Sequence, residues 1–314
     1  MKVALLFPGQ GSQKVGMGAE LAHEFPAARR VFEEADEALG APLARLCFEG
    51  PEDDLRLTAN TQPAMLTVAI AALRALQSEF AIEPELAAGH SLGEYSALVA
   101  AGALQFTDAV RAVRERGRLM QAACPDGTGS MAALIGLTRP IVDEICLEVS
   151  TDSLQAVAAN LNGPGQIVIA GHTAAVRRAV ELAKERGSTM AVELKVSAPF
   201  HSPLMAPARE AMAAVLEPLA VRAPAFGVIS NVTASINRDP ERIKPLLLEQ
   251  ITAPVRWEES MGTLAAAGIA TALEPGCGKV LAGLMRRIDK SFKVRTVEDS
   301  ASVKAAGELI ASLS

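Results

Sequence analysis

Residues Ala87 to Ser96 read A-A-G-H-S-L-G-E-Y-S, and the fold is decided by how this stretch is read. The apolar run Leu86-Ala87-Ala88 meets Gly89-His90-Ser91-Leu92-Gly93, and a helix-competent sequence follows at once. This is the G-x-S-x-G pattern of a nucleophile elbow, in which a strand turns sharply into a helix and lifts a serine hydroxyl above the sheet. Glycines two residues to either side remove the Cβ atoms that would collide in so tight a turn. The backbone N–H of Leu92, at the start of the new helix, is placed to hold a developing oxyanion. Taken alone, the pattern fits a Gly-Ser turn without chemistry equally well, so its surroundings have to decide.

Working outward, the whole chain bounds what those surroundings are. With 314 residues, half of them hydrophobic, it can bury one large core, either as a single domain or as a domain carrying an insertion. Thirty basic against thirty-six acidic side chains give a formal charge of -6, so neither nucleic acid nor an anionic membrane is attracted globally. Cys47, Cys124, Cys146 and Cys277 lie far apart and never form C-x-x-C, which signals neither a metal site nor a disulfide framework. Val3 to Phe7 is too short an apolar run for a signal peptide or a membrane span, and a cytoplasmic protein with reduced thiols is expected.

Toward the N-terminus, Val3-Ala4-Leu5-Leu6-Phe7 ends in Pro-Gly, as a parallel strand buried on both faces would. The loop Gly9 to Gly18 fits neither a dinucleotide fingerprint nor a P-loop, because Lys14 displaces the third glycine and no G-K-[ST] follows. It instead brings backbone and Gln10 close to the C-terminal edge of the sheet, where open α/β folds place their ligands. Residues 19–39 and 62–80 read as helices, the second capped by Asn60-Thr61 with Pro63 at its start.

Beyond the elbow, a helix capped by Thr107 runs to about Ala123. At about 100° per residue, Ala109, Val110, Val113, Gly117 and Met120 share one face, and Arg116 lies roughly 60° from its middle. A charge so placed needs an internal partner or an anionic ligand; a snorkelling side chain is the plain alternative.

From Met131 the texture changes. The spacing predicts a strand to Leu137, a helix over 140–149, strands over 154–159 and 166–170 around Asn162-Gly163-Pro164-Gly165, a helix over 173–186 and a strand over 190–196. That β-α-β-β-α-β order is a ferredoxin-like unit interrupting a doubly wound chain. The expected architecture is an α/β-hydrolase-like parallel-sheet domain, residues 1–126 and 198–314, with an inserted ferredoxin-like α+β subdomain, residues 127–197. The chain re-enters the large domain through Phe200-His201-Ser202-Pro203, with Ser202 as helix cap. Of four histidines, His201 at this seam is the best-placed general base for Ser91. Further on, a strand is expected over 225–231, helices over 241–250 and 257–267, and a strand over 269–273. Cys277, in a second glycine-flanked turn after that strand, is a rival nucleophile without a visible activating environment.

G-Q-G-S-Q at Gly9 to Gln13, G-H-S-L-G-E at Gly89 to Glu94, Arg116 in Arg114 to Gly117, Asn162-Gly163-Pro164-Gly165-Gln166, and F-H-S at Phe200 to Ser202 follow one another in the order of the malonyl-CoA:acyl carrier protein transacylases. The chain resembles that family over nearly its whole length. The resemblance implies ping-pong transfer of malonyl from malonyl-CoA to the phosphopantetheine thiol of acyl carrier protein, for fatty acid synthesis. It implies Ser91 as nucleophile, His201 as base, the Gln250 backbone carbonyl as orienter of that base, and Gln10 and Leu92 as oxyanion donors. It implies Arg116 as partner of the malonyl carboxylate, with Asn160, Asn162, Phe200 and His90 lining the substrate. No cofactor is implied, the CoA thioester being a substrate. A carrier protein of acidic character predicts a basic surface, for which Lys184, Arg186, Lys279, Arg286 and Arg287 are candidates. An esterase or thioesterase is the alternative, distinguished by an acidic residue between nucleophile and histidine and by the lack of an arginine facing the pocket.

Overall fold

Val3–Phe7 forms β1 and is buried at every position, because the sheet it lies in is covered on both faces. The computed structural model describes residues 2–125, 127–194, 196 and 198–313. After β1 come β2 (Pro84–Gly89), β3 (Gly129–Ile135), β4 (Ala156–Gly163), β5 (Gln166–His172), β6 (Met190–Glu193), β7 (Gly227–Ile229), β8 (Ile236–Asn237), β9 (Thr271–Pro275) and β10 (Lys293–Val297). Six of them form one sheet in the order β10-β9-β1-β2-β7-β8, parallel except for the short β7–β8 pair. Chain order runs outward from β1 in one direction through β2 and β7, and returns on its other side through β9 and β10. Connections therefore diverge beside β1 and leave a crevice at the C-terminal edge of the sheet, where such folds hold ligands.

The remaining four strands make an antiparallel sheet in the order β4-β5-β3-β6. Helices Arg139–Val149 and Thr173–Glu185 supply a separate core for it, built from Val142, Ile145, Ile169, Val176 and Ala179. Its strand β4 is tied to the larger sheet's side of the molecule by two backbone bonds to one residue, Val255 N–H to the Ala159 carbonyl and Leu161 N–H to the Val255 carbonyl, each 2.9 Å. The molecule is thus a mixed α/β protein in which a mostly parallel sheet with helices adjoins a small antiparallel sheet.

Beside the large sheet runs the helix Thr58–Glu79, buried along most of its length. Helix Phe106–Ala122 crosses it at Gly117, where a Cβ would sit only 2.5 Å from the Thr58 carbonyl oxygen. That missing side chain lets the two backbones touch, and it draws the preceding residue, Arg116, into the interior at 1% exposure.

Several boundaries differ from the sequence reading. Residues 19–39 are two helices, Ala19–Glu24 and Pro26–Leu39, because Pro26 holds Phe25 extended (φ -114°, ψ 110°) and starts a new helix. The next helix begins at Thr58 rather than after Asn60-Thr61, so Pro63 lies inside it, and Thr61 Oγ1 donates to the Leu55 carbonyl at 2.6 Å. Gln105, not Thr107, caps the helix that carries Arg116. Strand β4 extends through Asn160 and Asn162, leaving only Pro164-Gly165 as turn, with register shifts after Ala158 and Leu161. The strand expected over 190–196 is described to Glu193; Lys195, like Ser197 and Asp126 at the expected boundaries, lies outside the described residues. The short helices Leu43–Glu49 and Glu52–Arg56, strand β10 and the terminal helix Ser300–Leu313 were not expected.

Candidate active site

The turn after β2 is as tight as its glycines require. A Cβ on Gly89 would come within 1.9 Å of the Gly93 carbonyl, and one on Gly93 within 2.1 Å of the Phe7 carbonyl oxygen at the end of β1. Between them Ser91 adopts φ 52°, a left-handed conformation that a non-glycine residue holds only when its surroundings impose it. Asn231, just after β7, imposes it: its Oδ1 accepts from Ser91 N–H at 2.7 Å, its Nδ2 donates to the Gly89 carbonyl at 2.6 Å.

His201 is the second strained residue, at φ 59°, in the turn that precedes Pro203. Its Nε2 is 2.8 Å from Ser91 Oγ and its Nδ1 is 2.8 Å from the Gln250 carbonyl oxygen. A carbonyl can only accept, so Nδ1 carries the proton and Nε2 is left with a lone pair toward the serine. Burial, helped by the charge of Arg116, pulls His201 down to about 3, which keeps the ring neutral. Among the described residues no carboxylate bonds to this histidine; a backbone carbonyl at the end of helix Pro240–Gln250 does that work.

Arg116 enters from the other side. Its Nη2 donates to Ser91 Oγ at 3.1 Å and to Gln250 Oε1 at 3.0 Å, while Nη1 donates to Gln62 Oε1 at 2.7 Å. The guanidinium also lies over the Tyr95 ring, 5.7 Å from its centroid, and Nε has no partner among the described residues. Burial lowers its pKa, and Tyr95 and Glu94 oppose that shift. The groups touching the cation are thus neutral ones.

Of the other predicted residues, Gln10, Leu92, His90 and Asn162 lie around the same turn. Gly9 approaches the elbow so closely that a Cβ there would be 2.7 Å from the His90 carbonyl oxygen, which sets the exposed Gln10 beside the turn. Ser91 N–H is already taken by Asn231, whereas the Gln10 and Leu92 N–H groups donate to nothing else among the described residues. His90 Nε2 is 2.8 Å from Asn162 Oδ1 and its ring sits 5.5 Å from that of Trp257; burial lowers its pKa. Asn160 is buried on β4, and half-buried Phe200 packs against the cores of both sheets. Of the basic candidates, Lys184 pairs with Glu181, and Arg186 with Glu144 and Glu148, while Arg287 donates to Gln166 and Lys279 and Arg286 are exposed.

Three residues bonded to Ser91, Arg116 or Gln250 were missed from sequence: Gln62, Glu94 and Asn231. Glu94 did carry a signal, as the one charged residue of a helix made otherwise of uncharged and mostly apolar residues. Gln62 and Asn231 carried none, since each looks like an ordinary polar residue at an element's end.

The site therefore combines a serine, a neutral histidine and a buried cation, an arrangement suited to acyl transfer. An acyl transferase domain family matches residues 4–310. The malonyl CoA-acyl carrier protein transacylase of Bacillus subtilis is 48% identical over 305 residues, 97% of this chain and 96% of that protein. The chain belongs to the malonyl CoA-acyl carrier protein transacylase family. Among solved members, the acyl-carrier-protein S-malonyltransferase of Bartonella henselae superimposes with a TM-score of 0.96 at 48% identity, covering 99% of this chain and all of that one. A malonyl-transacylase solved in complex with a type II PKS acyl-carrier protein gives 0.96 at 43% identity, covering 98% and 100%. The four free cysteines are all buried, and no cluster of metal-ligating side chains occurs among the described residues. No helix of the described residues is long and apolar enough to cross a membrane.

Proposed function

We propose that this chain transfers the malonyl group from malonyl-CoA to the phosphopantetheine thiol of acyl carrier protein through a malonyl-Ser91 ester, supplying fatty acid elongation. The observation that carries the proposal is the position of Ser91 Oγ, within hydrogen-bond reach of both the neutral His201 Nε2 and the buried Arg116 guanidinium. His201 Nε2 takes the hydroxyl proton as Oγ attacks the thioester carbonyl. The oxyanion forms beside the N–H groups of Gln10 and Leu92. Collapse breaks the C–S bond, and the departing CoA sulfur receives the proton from His201. The carrier thiol then gives its proton to the same nitrogen, attacks the ester, and returns Ser91 to its hydroxyl form. The Gln250 carbonyl holds the imidazole in the tautomer both halves need. No cofactor enters these steps.

Arg116 selects the acyl group. The malonyl carboxylate replaces neutral partners on the guanidinium with a charge-assisted pair, whereas acetyl leaves the cation without a charge partner. Losing one member of a buried pair costs about 3 to 5 kcal/mol. His90, Asn160, Asn162 and Phe200 line the remaining wall from both sheets, and Lys279, Arg286 and Arg287 supply the basic surface for the carrier. This division of labour corresponds to an α/β-hydrolase-like domain, residues 1–126 and 198–314, carrying a ferredoxin-like subdomain, residues 127–197, in a cytoplasmic enzyme.

Intact mass after brief exposure to malonyl-CoA tests the proposal. The wild type gains one malonyl group and Ser91→Ala gains none; an undiminished adduct on the variant removes Ser91 from the role.

A further inference from the structure

The steps above use neither the Glu94 carboxylate nor the Gln250 side chain, although both are buried in the wall of the site. Glu94 stands three residues after Ser91, at 3% exposure. Its Oε2 accepts from Gln250 Nε2 at 2.6 Å and from Asn231 N–H at 3.1 Å. Gln250 Nε2 also donates to the Ser91 carbonyl at 3.1 Å. With both amide hydrogens engaged, Gln250 Oε1 is the atom left to face Arg116, and it does so at 3.0 Å. Turned over, the carboxamide would set its NH2 against a guanidinium and its oxygen against a carboxylate, two repulsive contacts in place of two hydrogen bonds. Burial pushes Glu94 up to about 7, against the pull of its bonds from Asn231 and Gln250, so above that pH the group accepts only.

We propose that Glu94 is a positioning residue for acyl selection: by fixing which way the Gln250 carboxamide points, it keeps a neutral oxygen on Arg116 and leaves the cation's charge for the acyl carboxylate. A carboxylate in direct contact would have to be displaced by every substrate, and charge-assisted bonds are about twice as strong as neutral ones. Glu94 stands one residue further back, and its negative charge reaches Arg116 only across the amide. This role of Glu94 rests on Arg116 being the malonyl clamp.

The test compares malonyl and acetyl single-turnover transfer at pH 8 in the wild type, Glu94→Ala, Gln250→Met and the double variant. Gln250→Met keeps the backbone carbonyl that holds His201. Glu94→Ala lowers the malonyl-to-acetyl rate ratio about tenfold, the worth of one hydrogen bond to a charged group. In the Gln250→Met background the same change leaves the ratio where it was, since both act through one carboxamide. Glu94→Met, which fills the space without an acceptor, shows the same drop and serves if the alanine variant does not fold. A merely structural role slows both acyl groups alike and leaves the ratio unchanged; that result, or a full drop in the Gln250→Met background, overturns the proposal. Arg116→Ala is measured alongside. An unchanged ratio there removes the clamp reading, whereas a fall there with a wild-type ratio in Glu94→Ala removes the positioning role alone.

Discussion

Two strand-to-helix turns lie at the same edge of the large sheet, and each carries a nucleophile between glycines: Ser91 after β2 and Cys277 after β9. Around Ser91 the neighbours are His201, Arg116 and Asn231, and the backbone is held at φ 52°. Among the described residues no base is hydrogen-bonded to Cys277. Its thiol donates to the Ser12 carbonyl at 3.0 Å, burial raises its pKa above the usual thiol value, and Gly278 N–H is tied to Glu298. The second turn braces the Gly9 to Gln13 loop, while the first presents a hydroxyl. A glycine-flanked turn is therefore a mounting for a side chain, and its chemistry is settled by what other segments bring to face it.

The largest effect that bears on this contrast is loss of the base. His201→Ala should slow acylation of Ser91 by about 10² to 10⁴, the usual worth of a positioned general base, in single-turnover measurements. The pH dependence sharpens the point. The base must be neutral to act, and its pKa is held down at about 3, so protonation does not silence it until the pH approaches that value. Single-turnover acylation by Glu94→Met, which lacks the carboxyl raised to about 7, followed downward from pH 8 should show no loss near 6.5, the midpoint of an unperturbed imidazole; a single-proton fall centred there would break the assignment.

A middling effect separates the two turns as structures. Gly93→Ala places a Cβ 2.1 Å from the Phe7 carbonyl oxygen and should cost about 3 kcal/mol in urea denaturation, the upper end for overpacking. Gly276→Ala meets Pro8 at 3.2 Å with φ 130° and should cost about 1 to 2 kcal/mol, the price of strained backbone alone. Equal losses would mean that the two corners are packed alike. The smallest effect concerns the thiol. Cys277→Ala should leave malonyl transfer within a few-fold of wild type, and Cys277 in the folded protein should alkylate more slowly at pH 8 than a free thiol; loss of transfer on this change would make the rival turn a participant.

What could be read from the sequence was whatever is local. The elbow rests on spacing within a few residues, and helical arithmetic on its own neighbours puts Arg116 near the apolar face of its helix, although that arithmetic left a snorkelling side chain open and the inward role came from resemblance. The β-α-β-β-α-β order was visible because hydrophobic periods and turn residues alternate. The contacts of Asn231 and Glu94 were not visible, because they join positions 137 to 156 residues apart through approaches that only the packed sheet creates. The place of Gln250 came from resemblance, since a backbone carbonyl leaves no mark on residue type. Boundaries failed where a proline acted against the simple rule: Pro26 split a helix and Pro63 was absorbed into one.

The closeness of β1 to the elbow also constrains how this lineage can change. Every missense change at the Gly89 or Gly93 codon adds a Cβ, and at each position that atom would fall about 2 Å from main-chain atoms, as already measured. No conservative intermediate exists, because alanine is already too large. Drift can alter Phe200, packed against both cores, or Asn162, bonded to His90, but the corner that holds the serine is reachable only by keeping both glycines, so diversification of the enzyme has to proceed around it.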